Sequence, residues 1–177
     1  RAFLPSLEMT ATVRPFEPVS FERITQLVNK TNQFNLTTLR VVPAEIERLS
    51  TDPCAVTRTV RLQDRFADHG LISVFFGHVE DDTLFVDAWL MSCRVLGRGV
   101  ERLLFNDVLA SARARGVADI VGEYHPTSRN ALVRDHYPGL GVTRDAGEAP
   151  AERWRLRVAD AVPLETFIAV DVPAGDR

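Results

Sequence analysis

Hydrophobic positions along the chain keep two rhythms, and the changes between them mark out the elements. Met9 to Val13 alternates briefly and reads as a short strand, closed by Pro15 and Pro18. After Ser20, a residue suited to capping a helix, Phe21, Ile24, Leu27 and Val28 recur at helical spacing, which predicts a helix to about Lys30. The polar stretch 31–38 ends it, because Asn and Thr side chains compete with a helix for backbone groups. Pro43 at a first helical position, with Ile46 and Leu49 below it, predicts a second helix that stops before Pro53. The rhythm then turns to runs rich in Val, Ile, Phe and Thr at 54–62, 71–79 and 83–92. Polar segments at 64–70 and 80–82 separate them, so they read as a three-stranded meander.

Helical spacing returns with Val100, Leu103, Leu104, Val108 and Ala112 on one face, and Gly116 closes that helix as a C-terminal cap residue. Residues 117–124 form a fifth strand. A short helix starts at Pro126, Thr127 and Ser128, contains Ala131, Leu132 and Val133, and ends between Tyr137 and Gly141. Two closing strands follow at 154–159 and 167–172 with a turn at Pro163, and residues 173–177 make a loose tail. The expected class is α/β (α+β): a central mixed, mostly antiparallel sheet of about seven strands flanked by about four helices. The sequence starts at Arg1 without Met, so residues 1–7 are expected to be the tail of an upstream domain or a linker, with one domain over 8–172.

Composition narrows the classes. At 177 residues and 45% hydrophobic, the chain suits a single well-packed domain. A net charge of −3 offers no overall basic character for nucleic acid or a membrane surface. Lys30 is the sole lysine, and the bias to arginine carries no mechanistic weight. Cys54 and Cys93 have no partner at disulfide-framework or zinc-ligand spacing, so no metal is expected and a reducing, cytoplasmic setting is. No apolar run approaches the roughly 20 residues that span a bilayer, and no signal-peptide pattern opens the chain.

The chemistry gathers where the meander hands over to the long helix, in Ser92-Cys93-Arg94-Val95-Leu96-Gly97-Arg98-Gly99-Val100-Glu101. Two close glycines let backbone N–H groups approach a phosphate, and a helix N-terminus offers unpaired donors and partial positive charge. Arg94 and Arg98 add full charges there; the alternative is an ordinary Gly-containing strand-to-helix turn. Alternation puts Cys93 on the strand face of Asp87, Trp89 and Met91, just before that loop. Its cations and helix dipole favour a nucleophilic thiolate; the plainer reading is a small buried strand-end residue. Cys54 has no such neighbours. Glu123 and His125 lie near the open end of the fifth strand, suited to general base work or to plain solvation.

The element order resembles that of the GNAT acyltransferase superfamily, and two motifs sharpen the likeness. Arg94-Val95-Leu96-Gly97-Arg98-Gly99 is similar to its acyl-CoA pyrophosphate loop, and Asn130-Ala131, Tyr137 and Gly139-Leu140-Gly141 resemble the run of its last helix. A narrower resemblance, carried by residues 31–38, 89–101 and 130–135, is to the C-terminal part of FkbH-like proteins of polyketide biosynthesis. These join a haloacid-dehalogenase (HAD)-like phosphatase domain to a GNAT-like domain, and are associated with loading a glyceryl unit from a phosphorylated three-carbon intermediate onto acyl carrier protein. The Asp-x-Asp-x-Thr motif of the phosphatase half does not occur in these 177 residues.

The resemblance implies an acyltransferase whose partners are an acyl carrier protein and an upstream HAD-like domain. The cofactor is coenzyme A, as acyl-CoA, or the carrier's phosphopantetheine. Arg94, Val95, Gly97, Arg98, Gly99 and Val100 would hold its phosphate, and Asn130 would hydrogen-bond pantetheine unless it makes a local cap. Tyr137 would protonate a departing thiolate unless it only packs on the sheet. Asn32, Gln33, Asn35, Thr37 and Thr38 would border the acceptor side, their neutral donors and acceptors suiting a hydroxylated acyl group, unless they serve their own backbone. Two further readings stay open: an acetyl-CoA-dependent acetyltransferase acting on an amine, and a module that only docks a carrier protein.

Overall fold

The computed structural model describes residues 3–171. Among these, eight strands share one sheet: β1 (Thr10–Arg14), β2 (Ala55–Gln63), β3 (Asp68–Glu80), β4 (Thr83–Met91), β5 (Asp119–Tyr124), β6 (Thr143–Asp145), β7 (Glu152–Arg157) and β8 (Ala169–Asp171). Their spatial order is β6-β7-β5-β4-β3-β2-β1-β8. The helices are α1 (Phe3–Ser6), α2 (Phe21–Lys30), α3 (Pro43–Thr51), α4 (Val100–Ala114) and α5 (His136–Gly139).

The meander forms as its alternation predicts, β2 to β3 to β4, all antiparallel. Its two faces bury different partners. Ile24, Val28 and Ile46 of α2 and α3 pack on Val74, Phe76 and Leu90, while Leu104, Val108 and Leu109 of α4 pack with Ile72, Leu84 and Trp89. Each fully buried aliphatic chain contributes about 1.5–3 kcal/mol relative to exposure, so seven buried residues hold α4 in place. Gly116, at φ 69°, then ends α4 in a conformation that suits glycine.

The sheet splits beside α4. Strands β4 and β5 run parallel and pair at Thr83↔Asp119, Leu84↔Ile120 and Phe85↔Val121. Just beyond, the register with β3 moves from Gly77↔Val86 to Phe76↔Ala88, leaving Asp87 as an extra residue on β4. Gly77 is required here, because a Cβ on it would lie 2.3 Å from the Phe85 carbonyl oxygen. Past Phe85 the inner edge of β4 takes a different partner, described below.

Four expectations change. Strand β6 adds an eighth strand; at three residues it is too short to show alternation. The last helix is replaced by a 3-10 turn (Ala131–Val133) and the single turn α5, since Pro138 supplies no N–H and its ring would crowd the carbonyl four residues back. Strand β8 does not sit beside β7: it crosses to the far edge and pairs in parallel with β1. Leu7, placed in the linker, is 3% exposed and part of the core, with Leu4 packed against it. The tail 173–177 lies outside the described residues. No helix among the described residues is long and apolar enough to cross a membrane.

Candidate functional site

The chain leaves β4 at Met91 and turns at once. Cys93 sits in a 3-10 turn (Cys93–Val95) whose entry Ser92 caps, its hydroxyl accepting the Arg94 N–H at 3.4 Å. Cys93 is therefore not a strand-end core residue: it is exposed. Val95 is fully buried and donates its N–H to the Ser92 carbonyl, which removes it from the phosphate-binding set.

Gly97 and Gly99 then adopt φ 75° and 86°, with open space where each Cβ would be. This geometry starts α4 at Val100 and leaves the N–H groups of Gly97, Arg98, Gly99, Val100 and Glu101 without an acceptor among the described residues. Unpaired backbone donors of this kind are what a phosphate would require. The loop's arginines differ. Arg94 is exposed and leans on the Ser92 hydroxyl, whereas Arg98 donates to the Asp64 carboxylate at 2.6 Å.

Asp64 is 3% exposed at its side chain and also accepts from His69 Nε2 and from the N–H groups of Phe66 and Ala67, each at 2.8 Å. The His69 hydrogen bond, with the Arg98 guanidinium next, holds its carboxyl well below the usual carboxylate range. The loop flanks a cavity of about 340 Å³ bordered by Leu4, Glu101, Arg102, Glu165 and Phe167.

On the other side of the loop lies a second cavity of about 660 Å³, and Cys93 opens into it. Its walls come from the last residue of α2 (Lys30) and the three that follow it (Thr31, Asn32, Gln33), from Ser92, and from Ser128 and Arg129 after β5. The Cys93 thiol donates to Gln33 Oε1 at 3.2 Å. The same amide, turned over, offers Nε2 to a thiolate or to an acyl carbonyl oxygen.

The rest of the polar stretch does something else. Phe34–Leu36 forms a strap along the inner edge of β4, with Leu36 N donating to Trp89 O at 3.1 Å and Met91 N to Phe34 O at 3.0 Å. On the opposite flank His125 N donates to Leu36 O at 2.8 Å, so the strap fills the split between β4 and β5. Asn35 is fully buried, donating to Thr31 O and accepting from Thr38 N. Thr37 bonds the Asp87 carbonyl, and Thr38 the carbonyl of Thr37. Asn130, also fully buried, donates to Asn35 O (3.0 Å) and His125 O (2.9 Å) and accepts from Thr127 N (2.7 Å). Asn35, Thr37, Thr38 and Asn130 are thus engaged in holding backbone, not facing a ligand. Of the acceptor-side residues only Asn32, which also accepts from Arg40, and Gln33 reach the cavity.

Tyr137 does not join Cys93. Its ring lies on Gly122, where a Cβ would come within 2.3 Å, and its hydroxyl is buried without a partner. Burial, with the Glu123 charge behind it, pushes the phenol up, so it keeps its proton at neutral pH. Neighbouring His136 stacks edge-on against Trp89 at 4.3 Å, and burial takes its imidazole down to about 3. Glu123 and His125 pair with each other at 3.0 Å and face another recess, where Arg153 grips Glu123. The His125 bond, then Arg153, hold Glu123 below its ordinary value. Tyr137, Glu123 and His125 therefore make no hydrogen bond with the Cys93 thiol, whose partner is Gln33.

Solved structures with the same architecture include the ribosomal-protein-S18-alanine N-acetyltransferase from Escherichia coli (TM-score 0.63, 13% identity, 86% of this chain and 97% of that chain). Another is the GNAT domain of S. lividans PAT (TM-score 0.61, 18% identity, 82% and 89%). A third is spermidine N-acetyltransferase from Vibrio cholerae in complex with CoA and spermine (TM-score 0.62, 14% identity, 85% and 96%). The chain has the GNAT fold. No protein-family model and no curated protein sequence matches it.

On this GNAT scaffold four residues join the site without a local sequence signal for doing so. Lys30 and Arg129 bring cations to the thiol cavity, and Ser128 a hydroxyl; in the sequence Lys30 stands out only as the sole lysine, and Ser128 only as part of a helix start. Asp64 reads locally as the start of a polar turn segment, 64–70. Among the described residues no group of His, Cys, Asp and Glu is arranged to hold a metal ion.

Proposed function

We propose that this domain transfers a short hydroxyacyl unit, glyceryl in the reading its FkbH-like resemblance favours, from the Cys93 sulfur to the phosphopantetheine thiol of an acyl carrier protein. The observation that carries it is the exposed Cys93 thiol, hydrogen-bonded to Gln33 in a cavity that also holds Lys30, Ser128 and Arg129. A core cysteine would serve packing; this one faces a polar, cationic cavity beside a phosphate-suited loop.

In the acylated enzyme the acyl carbonyl carbon is bonded to Cys93 Sγ. The pantetheine thiolate attacks that carbon, its carbonyl oxygen takes the developing charge, and the bond to Cys93 Sγ breaks as the carbonyl re-forms. The departing sulfur takes a proton and returns to its bond with Gln33. Lys30, Arg129 and the turned-over Gln33 amide are the donors that surround the oxyanion, and Asn32 and Ser128 bond the hydroxyls of the acyl group. The proton lost by the incoming thiol balances the one Cys93 gains, so no other reactant is required.

The test compares apo and holo carrier protein as acceptors from the acyl-loaded domain. Transfer to the holo form alone is the expected result. Equal binding of both forms without transfer would reduce the domain to a docking module. Turnover of acetyl-CoA with an amine, as the names of its structural neighbours describe for them, would replace this reading with amine acetylation.

A further inference from the structure

The loop before α4 has lost one of its two charges to the protein itself, and this bears on which phosphate it accepts. We infer that Asp64 is a specificity-determining residue: by neutralising Arg98 it tunes the loop to a single phosphate group and against the multiply charged phosphates of coenzyme A. The inference rests on the preceding reading of Gly97 to Glu101 as a phosphate site.

The Arg98 guanidinium, which would otherwise swing over the open N–H groups, is drawn to Asp64 Oδ2 at 2.6 Å. Asp64 is in no position to release it. Its other oxygen accepts two backbone N–H groups of its own turn, and His69 fixes the oxygen that Arg98 uses. A 3% exposed carboxylate stripped of Arg98 would keep its charge with little water to solvate it, so a ligand gains little by competing for that arginine.

The cavity beside the loop shows the same balance. Arg98 and Arg102 line it together with Glu101 and Glu165, two charges of each sign, and one of the two cations, Arg98, is already paired with Asp64. Glu101 matters most, because it stands in the first turn of α4 with one carboxylate oxygen buried and without a donor. What attracts an anion is the row of N–H groups and the partial charge of about +0.5 at the helix end. That matches one phosphate. It is poorly matched to a diphosphate that carries a further phosphate on its ribose.

Two sources supply a single phosphate: the phosphodiester of a carrier-protein arm and the phosphate of a small three-carbon acyl donor. Calorimetric titration of the intact chain with 4′-phosphopantetheine, with 3-phosphoglycerate and with coenzyme A separates them. The expected result is that coenzyme A binds no more than about threefold tighter than the better single-phosphate compound, and that compound names the source. In Asp64→Asn, which frees Arg98, coenzyme A gains about tenfold relative to it. Glu101→Gln leaves the Asp64 turn untouched and shifts the ratio the same way by several-fold, so the inference stays testable if Asp64→Asn folds poorly. Coenzyme A bound more than about threefold tighter by the wild type, or a ratio unmoved by Glu101→Gln, overturns the selectivity while leaving Cys93 chemistry standing. If no phosphate compound binds at all, the phosphate site falls, and this inference with it.

Discussion

Two polar loops flank Cys93, and they put their hydrogen-bonding groups to opposite uses. In residues 31–38 the groups are turned inward: Asn35, Thr37 and Thr38 bond backbone, and the strap closes the sheet between β4 and β5. In residues 97–101 they are turned outward, five consecutive N–H groups having no acceptor among the described residues. Beneath each loop lies a buried titratable group, and these differ in the same sense. His136, packed on Phe34 and Trp89, is held neutral by burial, while Asp64 is held ionised by its donors. A saturated loop serves stability and an unsaturated one keeps donors open to a ligand, so substitutions in the two should separate cleanly.

The largest stability loss belongs to Asn130→Ala. It strands the Asn35 and His125 carbonyls and the Thr127 N–H, all bonded by one side chain. At about 1 kcal/mol or more for each group, urea denaturation should show a loss of about 3 kcal/mol. Asn35→Ala should follow at about 1 kcal/mol, since it strands the Thr38 N–H while Arg40 still donates to the Thr31 carbonyl. Near-neutral behaviour of either would break the comparison.

Gly97→Ala should cost only about 1 kcal/mol, the strain of a side chain at φ 75° with no clash, yet abolish phosphate binding. Smallest in stability is Gln33→Ala, within about 0.5 kcal/mol for an exposed rim contact, with its effect falling instead on the rate of acyl transfer.

Acid titration sharpens the contrast between the buried groups. The His136 imidazole is near 3 in the fold, whereas its ordinary value is about 6.5. A folded value below the unfolded one means that the unfolded chain binds the proton first. Stability from neutral His136 is therefore complete above about pH 6.5 and declines as pH falls toward 3. His136→Phe should flatten that slope. Asp64 acts lower: its contribution is complete above the ordinary carboxylate range and is lost only as pH falls below it.

Periodicity revealed most of this fold, because the meander, α2, α3 and α4 each carry enough repeats to show their period. The glycine pair 97 and 99 was legible for a related reason: few residues but glycine adopt those backbone angles. The site was only partly legible. Asn35 and Gln33 are similar polar residues two positions apart, and one is fully buried while the other borders the thiol cavity. Nothing local separates them; the difference comes from the edge of β4, which is close in space and more than 50 positions away in the chain. Asp64 escaped notice for the same reason, since Arg98 is 34 positions on. Tyr137 matched a motif, but the absence of a side chain at Gly122 draws its ring into the core.

The most direct test of the thiol cavity is covalent. The domain is exposed to a glyceryl thioester of N-acetylcysteamine, and intact mass and peptide mapping locate the product. The account predicts a single adduct on the Cys93 peptide, retained in Cys54→Ser and lost in Cys93→Ala. An adduct that maps to Cys54, or that persists in Cys93→Ala, would contradict it.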